Sequence, residues 1–231
     1  MKKVEFDKME HFDEMLARRR YICELLGTVV SSQMKVINVG AGTGWVELFL
    51  VEKVIDGQLV ALEPDVQTRE TLKCNVEKHG VIVPELVDGV IPFSDGYFDL
   101  CVSFDVIEHV SKGTEQEFLK ELFRVVRPGG LIILSTPNKG PLINLLDPAY
   151  YFGHRHYSAG DFENWAKKLG ISLNKTWTGG TVVDLLWLYN VYVTKWIFRR
   201  MPIFKPTFQK LSNRWYISRF GFLDRYAVFV R

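Results

Sequence analysis

Residues Val36–Gly44, VINVGAGTG, constrain this chain more than any other stretch. A short β-branched run meets glycines at three alternate positions, Gly40, Gly42 and Gly44, and an apolar pattern of helical spacing follows. Val36, Ile37 and Val39 suit a buried parallel strand. Glycine permits a tight turn and close approach of backbone to a ligand, and the helix behind it presents unpaired N–H groups. Strand, turn and helix predict the opening of a nucleotide-binding α/β domain. The glycines alone do not choose the ligand. A dinucleotide fingerprint reads G-x-G-x-x-G, with a pyrophosphate at the helix N-terminus, and here the third glycine comes one residue early. A P-loop is a poor match, because no Gly-Lys-Ser/Thr follows.

Strand and helix then alternate at crossover spacing. Trp45–Val54 reads as a helix stopped by Asp56-Gly57, Leu59–Leu62 as a second strand, and the stretch from Asp65 to Lys78 as a helix broken by Gly80. Val81–Val83 is a short third strand and Phe98–Ser103 a fourth. Thr114–Val126 is a helix whose Thr114 and Glu117 have capping-box spacing, ended by Pro128-Gly129-Gly130. Leu131–Ser135, Ile171–Trp177 and Tyr226–Val230 complete seven strands, with a helix opened by a Ser158/Asp161 box between the fifth and sixth. The order predicts a Rossmann-like, doubly wound, mostly parallel seven-stranded sheet with helices on both faces. One domain is expected. Residues 1–33 form a helical cover anchored by Phe12, Met15, Leu16, Ile22, Leu25 and Leu26, with Arg18, Arg19 and Arg20 as a solvated face. Residues 34–178 form the core, 179–222 an aromatic, basic helical insertion and 223–231 the last strand.

The chain of 231 residues is 47% hydrophobic and 24% charged, as a soluble globular domain is. Its three cysteines, Cys23, Cys74 and Cys101, form no CxxC pair and no disulfide framework. Cys101 reads as a buried thiol, and the pattern suits a reducing compartment. Glu5, Asp7, Glu10, Asp13 and Glu14 are incompatible with a signal peptide, so the expected location is the cytoplasm. Charge is uneven. From Lys195 to Arg231 there are nine Lys/Arg and one acid, Asp224, whereas the first 194 residues carry twenty bases and twenty-six acids. That asymmetry bears on partners rather than fold.

In a doubly wound sheet, ligands collect at the carboxyl ends of strands, near the switch in strand order. Those ends carry Gly40–Gly44, then Glu63, placed to accept from two ribose hydroxyls. Next come Asp88 with Gly89, a candidate acceptor for an adenine amino group, then Phe104-Asp105 with Glu108-His109, and Thr136-Pro137-Asn138.

Three stretches, Val36–Gly44 with Glu63, FDLCVSFDVIEHV at Phe98–Val110 and LFRVVRPGGLIILSTPN at Leu122–Asn138, resemble class I S-adenosylmethionine-dependent methyltransferases. The small-molecule branch that includes ubiquinone and menaquinone methyltransferases is the nearest match, over roughly Met34–Trp177. The resemblance implies that Asn38, Gly40, Ala41, Gly42 and Gly44 meet the methionine moiety of S-adenosylmethionine. It implies likewise that Glu63 holds the ribose, Asp88 and Gly89 the adenine side, and that Phe104 lies beside the cofactor. The chain departs from the family in having Asn38 where an acid is usual, which removes a charge near the sulfonium. The segment from Asp88 to Pro92 is also one residue short.

Methyl transfer asks the protein to align a nucleophile with an already activated methyl carbon and to exclude water. A hydroxyl acceptor needs a base, and histidine suits neutrality. His109 either faces the acceptor or caps its turn. His154 and His156, two apart in GHRHYS, point oppositely in an extended loop, so one can reach the site. Arg155 meets an anionic substrate group or makes a surface salt bridge. No metal is expected, since Glu108 and His109 are adjacent rather than one turn apart.

Thr181–Phe198, TVVDLLWLYNVYVTKWIF, is apolar on almost every helical face, yet Asp184, Asn190 and Lys195 interrupt it, against a transmembrane span. Basic and aromatic residues interleave beyond it. A cap over the substrate site, buried in the monomer or a homodimer, competes with a peripheral membrane patch over 182–220, on the inner face of the membrane. Nucleic-acid binding is a third reading that the near-neutral total charge opposes. The sequence thus points to methyl transfer to a small or lipid-linked acceptor, at oxygen. A nicotinamide-dependent oxidoreductase and a non-catalytic S-adenosylmethionine-binding scaffold are the alternatives.

Overall fold

The computed structural model describes residues 16–87, 89–147, 150, 153–218 and 220–231. Asp88 and the anchors Phe12 and Met15 lie outside the described residues. In chain order, the main elements are α1 (Leu16–Val29), β1 (Lys35–Val39), α2 (Trp45–Leu50), β2 (Gln58–Leu62), α3 (Val66–Val76), β3 (Phe98–Phe104), α4 (Glu115–Val125) and β4 (Val126–Pro137). They continue with α5 (Pro141–Leu146), α6 (Ala159–Leu169), β5 (Ser172–Gly179), α7 (Val182–Tyr192), α8 (Lys205–Trp215) and β6 (Asp224–Val230).

One sheet carries the six strands in the order β2-β1-β3-β4-β6-β5. β1 pairs in parallel with both β2 and β3, and β3 with β4, so the chain winds outward in both directions from β1. This is the expected α/β Rossmann-like fold, mixed and mostly parallel, with helices on both faces and a helical insertion before the C-terminal strand. The expected third strand, Val81–Val83, contributes a single parallel bridge, Val60↔Ile82, beyond β2. Burial explains the strand pattern. Val36–Val39, Leu59–Leu62 and Leu100–Ser103 are buried continuously, as a sheet covered on both faces requires. The core gathers Ile37, Val60, Leu62, Phe98, Cys101, Ile132, Phe162 and Phe229. Burial pushes the Cys101 thiol well above the ordinary cysteine range, so it is an inert core group.

Several local expectations change. Pro128-Gly129-Gly130 lies inside β4 rather than between helix and strand. The register slips there, with Phe98 opposite Val126 but Leu100 opposite Leu131, and Gly129 takes a left-handed φ of 76°. This bulge absorbs the residues that read as a helix stop. Thr114 makes no capping bond to α4. Its hydroxyl donates backward to the Ser111 carbonyl at 2.8 Å, and Glu115 instead accepts from Gly113 N–H. The Ser158/Asp161 box forms as expected, and Asp65 caps α3 by accepting from Thr68 N–H at 2.8 Å.

The chain divides into two compact units. One comprises residues up to Thr28 together with Thr178–Asp224, and the other Val29–Trp177 with Arg225–Arg231. In the first unit Arg18 is buried, with Nε 3.5 Å from Asp224 Oδ1, and the Tyr216 hydroxyl donates to Asp224 as well. The expected solvated arginine face therefore fails at Arg18. Only Arg20 is exposed, paired with Glu24 one turn on. Among the described residues no helix is long and apolar enough to cross a membrane.

Candidate functional site

The site is built at the ends of β1, β2 and β3 in the second unit, where strand order reverses. All three glycines of the first turn take left-handed backbone, with φ of 82°, 56° and 93° at Gly40, Gly42 and Gly44. They differ in what lies around them. A Cβ on Gly40 would stand 2.2 Å from Val106 Cγ2, and one on Gly44 2.5 Å from Val76 Cγ1. A Cβ on Gly42 would meet nothing within 4 Å. Gly40 and Gly44 are glycine for packing, whereas Gly42 faces open space.

Backbone bonds fix the turn to β2, since Gly40 and Ala41 N–H both donate to the Leu62 carbonyl at 2.8 and 2.9 Å. Glu63, the next residue, accepts from Gly42 N–H on Oε2 at 2.9 Å and from Asp65 N–H on Oε1 at 3.1 Å. A carboxylate has about four acceptor positions, so each oxygen keeps capacity for a ligand hydroxyl. Arg69, largely buried, donates to the Glu63 and Pro64 carbonyls and pairs with Glu85, which locks the turn carrying Glu63. Asn75 donates to the Thr43 carbonyl and holds the turn from α3.

Asn38 and Glu47 are both buried. Asn38 donates from Nδ2 to Glu47 Oε1, while Asn38 Oδ1 and Glu47 Oε2 have no hydrogen-bond partner among the described residues. Burial raises the Glu47 pKa to about 7, against the lowering effect of the Asn38 bond. A buried carboxyl from the first turn of α2 thus stands beside Asn38 at the end of β1. Sequence reading missed Glu47, whose signal was a single acid inside the apolar run Trp45–Leu50.

Ser103 at the end of β3 donates to the Val39 carbonyl and ties the two central strand ends together. Phe104 is half-buried, and Asp105 turns the chain with a φ of 56°. Gly89 sits at φ 80° in a turn closed by the Val87↔Val90 bridge. Arg124 steadies the segment that follows, donating to the Ile91 and Phe93 carbonyls.

The three histidines separate. His109 and His154 meet edge to face, with ring centroids 4.5 Å apart. Desolvation, followed by the repulsion of His154, holds the His109 pKa below the ordinary 6.5. His156 is buried, and both its ring nitrogens are engaged, Nδ1 with Asn144 Oδ1 at 2.9 Å and Nε2 with Asp147 Oδ2 at 3.0 Å. It therefore staples α5 and lacks a free nitrogen for proton transfer. Arg155 pairs with Glu115 and donates to the Ile107, Glu108 and Val110 carbonyls. It is a clamp on the turn after β3 rather than an anion receptor. Thr136 donates to buried Glu108, and the Asn138 amide oxygen accepts from Arg225. Among the described residues no three His, Cys, Asp or Glu side chains converge on a metal position.

Residues 37–134 match a family model described as a methyltransferase domain. A relative from Mycolicibacterium smegmatis, described as a probable S-adenosylmethionine-dependent methyltransferase, is 29% identical over 45% of this chain and 38% of its own length. A ubiquinone biosynthesis O-methyltransferase from Rickettsia canadensis is 23% identical over 90% of this chain and 84% of its own. Many of the curated relatives are matched over less than half of their length. Among solved structures, an S-adenosylmethionine-dependent methyltransferase from Aquifex aeolicus superposes with a TM-score of 0.62 at 17% identity, covering 99% of this chain and all of the other. Over residues 37–134 the chain is thus similar in sequence to S-adenosylmethionine-dependent methyltransferases, and over its length it shares their fold. The ubiquinone and menaquinone branch is only distantly similar.

Proposed function

We infer that the protein transfers a methyl group from S-adenosylmethionine to the oxygen of a small or lipid-linked acceptor. The observation that carries this reading is the Gly42–Glu63 bond, which sets an open-faced glycine turn and a carboxylate with spare acceptor capacity against each other. Gly40, Ala41, Gly42 and Gly44 would hold the methionine moiety and Glu63 the ribose hydroxyls. Asp88 and Gly89 would hold the adenine, and Phe104 would exclude water beside the sulfonium. The orphaned Asn38 Oδ1 lies buried in β1, just before the glycine turn. When bound, the cofactor supplies a methyl group already activated by its positive sulfur.

His109 is our candidate base. Its lowered pKa leaves the imidazole neutral near pH 7, able to take the proton of an acceptor hydroxyl. The neighbouring His154 contributes to that lowering. A homodimer and a location on the inner face of the membrane remain proposals of the same reading. The test is release of S-adenosylhomocysteine from S-adenosylmethionine in the presence of phenolic, quinol or prenyl-linked acceptors. Release with any of them, lost in His109→Gln, supports the reading. No release with any acceptor, in folded protein that binds S-adenosylmethionine, supports the scaffold reading instead.

A further inference from the structure

The segment 178–224 presents a surface that contributes none of the cofactor-site residues named above. Twelve of the nineteen exposed large hydrophobic side chains among the described residues lie between Val182 and Phe220. They culminate in the loop 197–204, where Ile197, Phe198, Met201 and Phe204 are each more than 60% exposed. Arg199 and Phe204 hold this loop in left-handed backbone, at φ 49° and 57°, a conformation that bulky L residues rarely adopt. Beside it, Leu186, Tyr189, Val193, Met201, Ile203 and Phe208 line an apolar groove of about 570 Å³.

The charges around this apolar surface have one sign. Arg199, Arg200, Lys210 and Arg214 are exposed and make no ion pair among the described residues. Asp184, the one acid between Thr178 and Leu223, is occupied as the cap of α7, accepting from Thr181 N–H and from the Ser212 hydroxyl. Exposed apolar residues ringed by uncompensated cations complement an anionic bilayer, where the side chains reach the acyl boundary and the cations meet headgroup phosphates. A two-fold dimer through the same face would set these cations against their own copies.

We propose that the loop 197–204 and its flanking groove dock this protein on an anionic lipid surface. Ile197, Phe198, Met201 and Phe204 enter the acyl boundary, while Arg199, Arg200, Lys210 and Arg214 engage the headgroups. Docking needs no methyl donor, so its failure and that of the methyl-transfer reading are distinguishable.

The test is co-sedimentation of the full chain, without cofactor, with phosphatidylcholine vesicles containing or lacking phosphatidylglycerol. The expected result is binding that depends on phosphatidylglycerol and weakens with salt. Arg199→Gln with Arg200→Gln should weaken it roughly 30-fold, about fivefold for each cation. Phe198→Ser with Met201→Ser should abolish it at unchanged charge and unchanged melting temperature. Folded wild-type protein that stays in the supernatant overturns the proposal, as does an apolar double variant that binds like wild type. So does a wild-type dimer that the Phe198/Met201 pair dissociates while neither form binds vesicles.

Discussion

Asn38 donates to Glu47 across nine residues of chain at 2.8 Å, and the two side chains are only 3% and 1% exposed. The bond joins the end of β1 to the first turn of α2, around the glycine turn. A carboxyl so buried resists ionisation, so it stores a pH dependence in the fold.

That dependence has a definite sign. The folded pKa of Glu47, about 7, lies above the ordinary 4.5, so the folded state holds the proton more tightly than the unfolded chain. The stabilisation is complete below the unfolded value and is lost as pH rises through about 7, by roughly 3 kcal/mol in all. Urea unfolding at about pH 5 and about pH 8 should show this loss in wild type and a much flatter profile in Glu47→Gln. Equal slopes in the two proteins would contradict it.

The glycine turn separates stability from binding. Gly42→Ala meets no neighbouring atom and should cost only the left-handed backbone, about 1–2 kcal/mol, while blocking the open face and so cofactor binding. Gly40→Ala collides with Val106 and should lose more stability as well as binding. Paired melting curves and cofactor titrations check both. A Gly42→Ala protein that binds like wild type would place the ligand elsewhere.

The histidines should part in their pH profiles. With a lowered pKa, His109 is mostly neutral near pH 7, and kcat should fall on the acid side of 6.5. His154→Gln removes a repelling charge, so that acid limb should move to higher pH. His109→Gln should abolish both the limb and most of kcat.

His156→Ala should lose about 1–3 kcal/mol of stability, because Asn144 and Asp147 each lose a bond to its buried ring. The acid limb set by His109 should persist in this variant. Thermal unfolding together with a kcat profile distinguishes the two roles.

The sheet was legible because its strands are buried on both faces and punctuated by glycine, as Val36–Gly44 and Leu59–Glu63 show. The insertion was legible for a related reason, since no core pattern accounts for its aromatic and basic residues. Less was readable where tertiary contacts decide. Arg18 sits in a triplet that looks solvated, yet Asp224, two hundred residues on, draws it inside. Arg155 left open an anion contact or a surface salt bridge, and the structure gives the pair with Glu115 together with three backbone carbonyls that the sequence could not show. Thr114 had the right spacing for a cap but the wrong backbone angles, φ −100° and ψ 11°. His156 was chosen by its residue type, and no spacing rule could have shown that Asn144 and Asp147 close on both its nitrogens. Glu47, Arg69 and Asn75 support the site from helices, where a polar side chain reads by default as solvent-facing.

The central claim is that the Gly40–Gly44 turn and Glu63 form a site for S-adenosylmethionine. Calorimetric titration of the purified chain with S-adenosylmethionine, S-adenosylhomocysteine and NAD, repeated on Glu63→Ala, tests it most directly. Binding of both sulfur compounds, lost in Glu63→Ala and absent for NAD, is the result predicted. Folded wild-type protein that binds neither, or a Glu63→Ala variant that binds both unchanged, would contradict it.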